Sequence, residues 1–268
     1  MTGATPSSTH TTADGAVLPY MLDGSGATVV LVHGFGLDRA FWDSQTTALA
    51  AQYRVLSYDL RGFGAASLPT APYSHAHDLK SLLDALALGP AHVVGLSMGG
   101  RVALRLALDA PQLVRSLTLV DSVLDGYKMS EAWLTRWREI VAIARGGDVE
   151  AAKRRWFEHE LFAPARANPL AAAALERIVM RYSGWHWRER DPEEAGSPPA
   201  LEALRQISAP TQVLVGEKDL PDFHAIAKRL KDELPRATLA VLPGVGHLPS
   251  LEGPAAFNAA LLAHLAAN

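Results

Sequence analysis

A serine, a histidine and an aspartate occupy positions in this 268-residue chain that suit nucleophilic catalysis. Ser97 lies in the pattern Gly95-x-Ser97-x-Gly99, after a run of apolar residues typical of a strand and before a segment with helical spacing. A serine on such a strand-to-helix turn stands near the helix N-terminus, where backbone N–H groups and the helix dipole stabilise an oxyanion. Short motifs also occur by chance. The pattern alone is therefore also compatible with a tight strand-to-helix turn in which the serine has no catalytic role.

The serine hydroxyl requires a base, and the base requires an acid. His247 is the candidate base because it follows the last predicted strand in a glycine-bounded loop. That loop lies at the carboxyl end of the sheet, where ligand sites of parallel sheets form. Asp219, just past another strand, is the preferred acid, and Asp121, at the end of an earlier strand, is the alternative.

The segments that position these residues alternate between strands and helices, which indicates a parallel sheet covered by helices on both faces. Asp14-Gly15 marks a hairpin between two short strands within residues 9–23. Further strands are predicted over 27–33, 54–59, the segment leading into Ser97, 116–121, 211–216 and 237–242. Helices are predicted over 37–52, 74–88, 101–110, 222–234 and 253–267.

Several motifs together make the chain resemble the α/β-hydrolase superfamily, and within it the small bacterial serine esterases, enol-lactonases and C–C bond hydrolases. Besides the Ser97 segment they are His33-Gly-Phe-Gly, Asp59-Leu-Arg-Gly-Phe-Gly, Gly216-Glu-Lys-Asp219 and Gly244-Val-Gly-His247. The order serine, acid, histidine is also that of the superfamily. The resemblance implies the α/β-hydrolase fold, with a mostly parallel, eight-stranded sheet.

The resemblance also implies an oxyanion hole made of the backbone N–H groups of Phe35 and Met98. The chain departs from the commonest pattern at Phe63, where many relatives carry histidine, and we expect that loop to be structural. Serine at position 97 disfavours the haloalkane dehalogenases and epoxide hydrolases, which use aspartate there.

The alternation of strands and helices stops after Asp121. Residues 122–207 are helical in character, and the stretch 191–199, rich in proline and glycine, is expected to lead back to the core. We expect an α/β core of residues 1–121 and 208–268, with a helical lid of residues 122–207 inserted after the sixth strand. Most lid tryptophans are expected to pack in the lid's own core and one or two to contact an apolar substrate. These tryptophans are Trp133, Trp137, Trp156, Trp185 and Trp187.

Composition narrows the class of protein. The chain has no cysteine and a net charge of −3, which excludes disulfides and thiolate chemistry and gives no electrostatic case for nucleic acid or an anionic membrane. Residues 1–8 are expected to be mobile, and residues 1–25 lack the pattern of a signal peptide. With no apolar run of membrane-spanning length, the expected location is the cytoplasm. Gly34-x-Gly36 lacks the third glycine of a dinucleotide loop, and neither a cofactor nor a metal is expected.

The expected activity is hydrolysis of small uncharged carboxylic esters through an acyl-enzyme on Ser97, with a small-molecule ester as the partner. Lactone opening, C–C bond cleavage and perhydrolysis are alternatives on the same three residues. A non-catalytic ligand receptor is the alternative from another class, because a fold does not determine function. The lid arginines Arg177, Arg181 and Arg188 are expected to be solvated rather than to bind a carboxylate.

Overall fold

Strand β1 (Ser8–Thr11) begins the part of the chain, residues 8–268, that the computed structural model describes. The expected mobile start therefore lies outside the described residues, except for Ser8, which is already in a strand. The expected core boundary at residue 1 lies outside them as well. The other strands are β2 (Val17–Gly24), β3 (Thr28–Val32), β4 (Arg54–Tyr58), β5 (Ala91–Leu96), β6 (Val114–Val120), β7 (Thr211–Gly216) and β8 (Ala237–Leu242).

Within residues 8–268 these eight strands form one sheet in the order β1-β2-β4-β3-β5-β6-β7-β8. Strand β2 pairs antiparallel with β1 and β4, and all other neighbours are parallel. Strands β3 and β5 are buried along their whole length, as their continuous apolar sequences require of strands covered on both faces. The predicted mostly parallel, eight-stranded sheet of the α/β-hydrolase fold is confirmed.

Helices cover both faces of the sheet and connect its strands. In the core they are α1 (Asp43–Leu49), α2 (His75–Leu86) and α3 (Met98–Asp109), then α10 (Pro221–Glu233), α11 (Pro249–Glu252) and α12 (Pro254–Ala266). Between β6 and β7 they are α4 (Glu131–Arg145), α5 (Val149–Phe157), α6 (Ala163–Arg166), α7 (Pro169–Arg181), α8 (Trp185–Arg188) and α9 (Ala200–Ala203). No helix in the described residues is long and apolar enough to cross a membrane.

Two predicted helices differ from those in the structure. The helix predicted over 37–52 is a 3₁₀ turn, Arg39–Trp42, followed by α1, because Asp38 caps the turn by accepting a hydrogen bond from the Ala40 N–H at 3.0 Å. Helix α3 begins at Met98 rather than at residue 101. Gly99 and Gly100 lie within the first turn of this helix. A Cβ atom at Gly99 would collide with the Val32 carbonyl, so glycine is what lets this turn pack against the sheet.

Residues 122–207, which we call the lid, lie between β6 and β7 in the chain. Their elements are helices, 3₁₀ turns and loops, except that Glu193 forms an isolated parallel bridge with Tyr73 of the core. The division of the chain into core and lid remains a prediction.

Candidate active site

The turn that carries Ser97 is strained and closely packed. Ser97 has φ 51° and ψ −113° between strand β5 and helix α3, a conformation that non-glycine residues rarely adopt. A Cβ atom at Gly95 would collide with the Gly99 carbonyl, and one at Gly99 would collide with that of Val32. The spacing Gly-x-Ser-x-Gly is therefore a packing requirement of this turn. Backbone strain of this kind is concentrated at functional sites.

Two loops at the same edge of the sheet bring His247 and Asp219 together. The Lys218 N–H donates to the Val245 carbonyl at 2.8 Å, and a Cβ atom at Gly216 would collide with the carbonyl of Gly246. This close approach of the two backbones requires glycine at position 216 and brings the two loops that carry Asp219 and His247 together.

The His247 imidazole lies between a carboxylate and a cavity. Its Nδ1 lies 2.8 Å from Asp219 Oδ2, and the second Asp219 oxygen accepts the Leu220 N–H at 2.7 Å. His247 and Ser97 both line a cavity of about 400 Å³, whereas Asp219 is held behind the imidazole. A carboxylate at Nδ1 keeps that nitrogen protonated and leaves Nε2 free to accept a proton.

Asp121, the alternative acid, has a different partner. Its Oδ1 accepts the Gly216 N–H at 2.9 Å, and the side chain is fully buried. Burial, followed by the charge of Asp219, raises the pKa of Asp121 well above its usual range. Ligand-type atoms of Asp121, Asp219 and His247 all lie within 4.8 Å of one another, a grouping that can hold a cation or a shared proton. Two of these three groups are already joined by the Asp219–His247 hydrogen bond at 2.8 Å.

The two backbone N–H groups expected to form the oxyanion hole are available. Phe35 follows β3 and Met98 is the first residue of α3, and both residues line the cavity with Ser97. Among residues 8–268 neither N–H donates a hydrogen bond to a protein acceptor. The Met98 N–H also has the orientation of a helix N-terminus, which favours a developing negative charge.

The Phe35 side chain is packed among aromatic rings. Within the described residues six rings lie with their centroids 5.0–6.2 Å from that of Phe35, and five of them belong to the lid. The rings are those of Phe63, Trp137, Trp156, Tyr182, His186 and Trp187. The residue at the proposed oxyanion hole is therefore positioned by the lid.

The five lid tryptophans occupy two environments. Trp133, Trp137 and Trp156 line the cavity. Trp185 and Trp187, also candidates for substrate contact, are absent from its lining in residues 8–268. Three tryptophans at the cavity is more than the one or two expected to contact substrate. Trp187 is fully buried and packs edge-on against Tyr182 at 4.9 Å, because the short helix α8 directs it into the lid interior.

The lid arginines expected to be solvated are at the surface. Arg177 and Arg188 are exposed, and Arg181 pairs with Asp38 at 2.7 Å while about half of its side chain remains exposed. None of the three is among the lining residues of the cavity.

Sequence reasoning missed two groups of polar residues. Glu252 accepts the N–H groups of Gly246, at 2.5 Å, and of Leu248, at 3.1 Å, and so anchors the backbone on both sides of His247. The second group is a set of charged residues in the cavity wall, which includes Arg101. Arg101 follows Ser97 by one helical turn, and that spacing could have indicated its place at the site.

Comparison with known proteins places this chain in a known family. A family model named "Alpha/beta hydrolase family" matches residues 29–260. The putative carbamate hydrolase RutD of Azorhizobium caulinodans is 30% identical over 257 residues, covering 92% of this chain and 94% of the relative.

Solved structures agree with this placement. A hydrolase from Pseudomonas aeruginosa PA01 is 33% identical with a TM-score of 0.82, over 98% of this chain and 99% of the other. A thermophilic esterase from Thermogutta terrifontis, solved with malate bound, is 27% identical with a TM-score of 0.80, over 97% and 98% of the two chains.

Proposed function

The chain belongs to the alpha/beta hydrolase family, and from that premise we propose that it is a cofactor-free serine hydrolase of small uncharged carboxylic esters. The observation that carries the proposal is the Asp219–His247 hydrogen bond beside a cavity that Ser97 also lines. Relatives named as a carbamate hydrolase and an esterase support hydrolysis of a carbonyl compound.

In the proposed mechanism Ser97 Oγ attacks the ester carbonyl carbon while His247 Nε2 takes the hydroxyl proton. The carbonyl oxygen becomes an oxyanion and accepts hydrogen bonds from the Phe35 and Met98 N–H groups. The C–O bond then breaks, and the alcohol leaves with the proton from His247. Water attacks the acyl-enzyme in the same way, which releases the carboxylic acid and restores the serine.

The cavity supports a small substrate. Its wall includes Trp133, Trp137 and Trp156 and several leucines, so most of its surface is apolar. Aromatic and aliphatic side chains of this kind bind short acyl or aryl groups through burial of apolar area. With the three lid arginines outside the cavity, nothing in the lid offers a free cation to a negatively charged substrate.

A fluorophosphonate probe tests the proposal directly, because it reacts preferentially with an activated serine and the site of the adduct can be mapped. We expect mass spectrometry to place the adduct on Ser97, and Ser97→Ala to abolish labelling. The variant should also lower kcat for p-nitrophenyl butanoate by about 10⁴ or more while the protein stays folded.

Ser122→Ala is the matched control, because Ser122 lies beside the same turn with its hydroxyl bonded to the Val123 carbonyl. Labelling of this variant should persist. An unlabelled wild-type protein that still binds esters would instead indicate a ligand receptor. Measuring kcat/KM for a panel of esters, lactones and diketo acids then shows which of these reactions the protein catalyses most efficiently.

A further inference from the structure

The cavity wall contains a charged cluster, which we define as Arg101, Asp125, His186, Asp191 and Glu193. Arg101 lies in the first turns of α3, and its N–H donates to the Ser97 carbonyl at 3.3 Å. The backbone of Arg101 is thus about one helical turn from the proposed nucleophile, and the whole cluster lines the same cavity as Ser97. Its three carboxylates and one guanidinium give it a formal charge of −2 when all are ionised.

Part of the cluster has a structural explanation. Arg101 pairs with Glu193 at 2.5 Å and with Asp125 at 3.5 Å. Asp125 and Glu193 come from the beginning and the end of the lid, so the guanidinium ties both lid connections to the core. These two ion pairs join Arg101 to Glu193 and Asp125, and neither includes Asp191.

Asp191 has no cationic partner of its own. Its Oδ1 accepts the Glu193 N–H at 3.1 Å, and its Oδ2 accepts the Tyr73 O–H at 3.4 Å. In the described part of the chain no lysine or arginine lies within ion-pair distance of it. Burial raises the pKa of Asp191 and also that of Asp125. A cation entering the cavity would therefore stabilise both carboxylates.

His186 gives a second and independent indication of a ligand. Its side chain is only 5% exposed and lines the same cavity. Nδ1 is bonded to the Tyr182 hydroxyl at 2.7 Å, whereas Nε2 has no hydrogen-bond partner within residues 8–268. Nε2 faces Asp191, with 3.7 Å between it and Oδ2. Since a buried polar atom without a partner is costly, the cluster is suited to a hydrogen-bonding group from a ligand.

We propose that the charged cluster is a subsite for a primary ammonium group, held by Asp191 with Asp125, Glu193 and His186 around it. An ammonium group supplies three donors and one positive charge, which matches a cluster with excess carboxylates. The Nε2 atom of His186 can accept one of these donors in the tautomer in which Nδ1 donates to the Tyr182 hydroxyl. The inference rests on the proposed function and extends its substrates from uncharged esters to esters that carry an ammonium group. We expect kcat/KM to be highest for esters that bear an amine, intermediate for neutral esters and lowest for esters that bear a carboxylate.

The first experiment measures binding without catalysis. Isothermal titration calorimetry would compare n-hexylammonium, 1-hexanol and hexanoate at pH 7.5. We expect the ammonium to bind about tenfold more tightly than the alcohol, and hexanoate to bind more weakly than either. Asp191→Asn, which keeps the oxygen that accepts the Glu193 N–H, should remove the preference for the ammonium.

The matched control is Asp232→Asn, which removes one negative charge from an exposed pair with Lys228, far along α10 from the lid. It should leave the preference unchanged. Equal binding of the three ligands, tighter binding of hexanoate, or a preference that survives in Asp191→Asn would each overturn the subsite. If Asp191→Asn lowers only the melting temperature, the cluster is a structural tie of the lid.

The second experiment compares kcat/KM for the p-nitrophenyl esters of 6-aminohexanoic, heptanoic and pimelic acids, which differ in one terminal group. We expect the amino ester to exceed the heptanoate by about tenfold and the pimelate to be slowest. Turnover of all three at one rate would refute the subsite and leave the proposed function intact. Selective binding of hexylammonium with no turnover of any ester would refute the proposed function and leave the subsite intact.

Discussion

Asp219 Oδ2 and His247 Nδ1 lie 2.8 Å apart, and both side chains are almost completely out of contact with solvent. A buried carboxylate that accepts this N–H holds the ring in one tautomer and stabilises its charged form. The neighbouring Asp121 makes no hydrogen bond to the imidazole within the described residues and bonds instead to the Gly216 N–H. The two acids should therefore respond differently to substitution.

We expect Asp219→Asn to lower kcat for a neutral ester by about 10²–10⁴, because an amide donor at this position favours the wrong tautomer of His247. Asp121→Asn should cost less than about tenfold. Burial raises the pKa of Asp121, which shifts the group towards the uncharged acid, and Asn keeps an oxygen that can accept the Gly216 N–H. Steady-state kinetics of both variants tests this. Reversed effects would make Asp121 the acid of the site.

Phe35→Ala should lower kcat by about 10–100-fold with a smaller change in KM. The ring is held by six aromatic neighbours, and its loss would let the backbone N–H move from the position where it would meet the oxyanion. Phe157→Ala is the control, because Phe157 is a half-buried lid residue outside the cavity lining. Similar loss in both variants would mean that lid stability, not the oxyanion position, is being measured.

Acyl length should have an optimum among neutral p-nitrophenyl esters. Burial of each added methylene should contribute up to about 0.8 kcal/mol to binding and so raise kcat/KM. The trend should reverse when the cavity of about 400 Å³ is full. Trp137→Ala should shift the optimum to longer chains, because Trp137 lines the cavity. Trp185→Ala should not shift it. A profile that rises without limit to long chains would indicate an open groove instead.

The protein should lose stability as the pH falls from about 6.5 towards 5. Burial lowers the pKa of His92 and His159 to about 4 and that of His186 to about 3, whereas an unfolded histidine titrates near 6.5. The unfolded chain therefore binds more protons in this range. The resulting stabilisation is fully present above pH 6.5 and is lost as the pH falls towards the folded pKa values.

Each such histidine should remove up to about 2 kcal/mol of unfolding free energy by pH 5, which urea denaturation at pH 7.5 and pH 5 can measure. His92→Gln should make the difference between the two pH values smaller. His77→Gln, at an exposed position, should leave it unchanged. Unfolding free energies that are equal at both pH values would show that these buried histidines do not govern the acid response.

Local patterns in the sequence determined the sheet. The continuous apolar runs of β3 and β5 are typical of strands that are covered on both faces of a sheet. The alternation of strands with amphipathic helices favours parallel pairing of those strands. The sequence also singled out Ser97, because glycines at 95 and 99 are required by contacts within a few residues or with the adjoining strand. Such features can be predicted because the physical cause lies near the residue itself.

Only the tertiary structure decided which distant side chains share the cavity. Helical spacing makes Trp137 and Trp187 equally probable as substrate contacts, yet the packing of α4 and α8 directs one to the cavity and the other to the lid interior. Arg101 and Glu193 are 92 positions apart and meet because the lid returns over α3. Contacts of this kind depend on how elements pack against one another, and no periodicity within one segment encodes that.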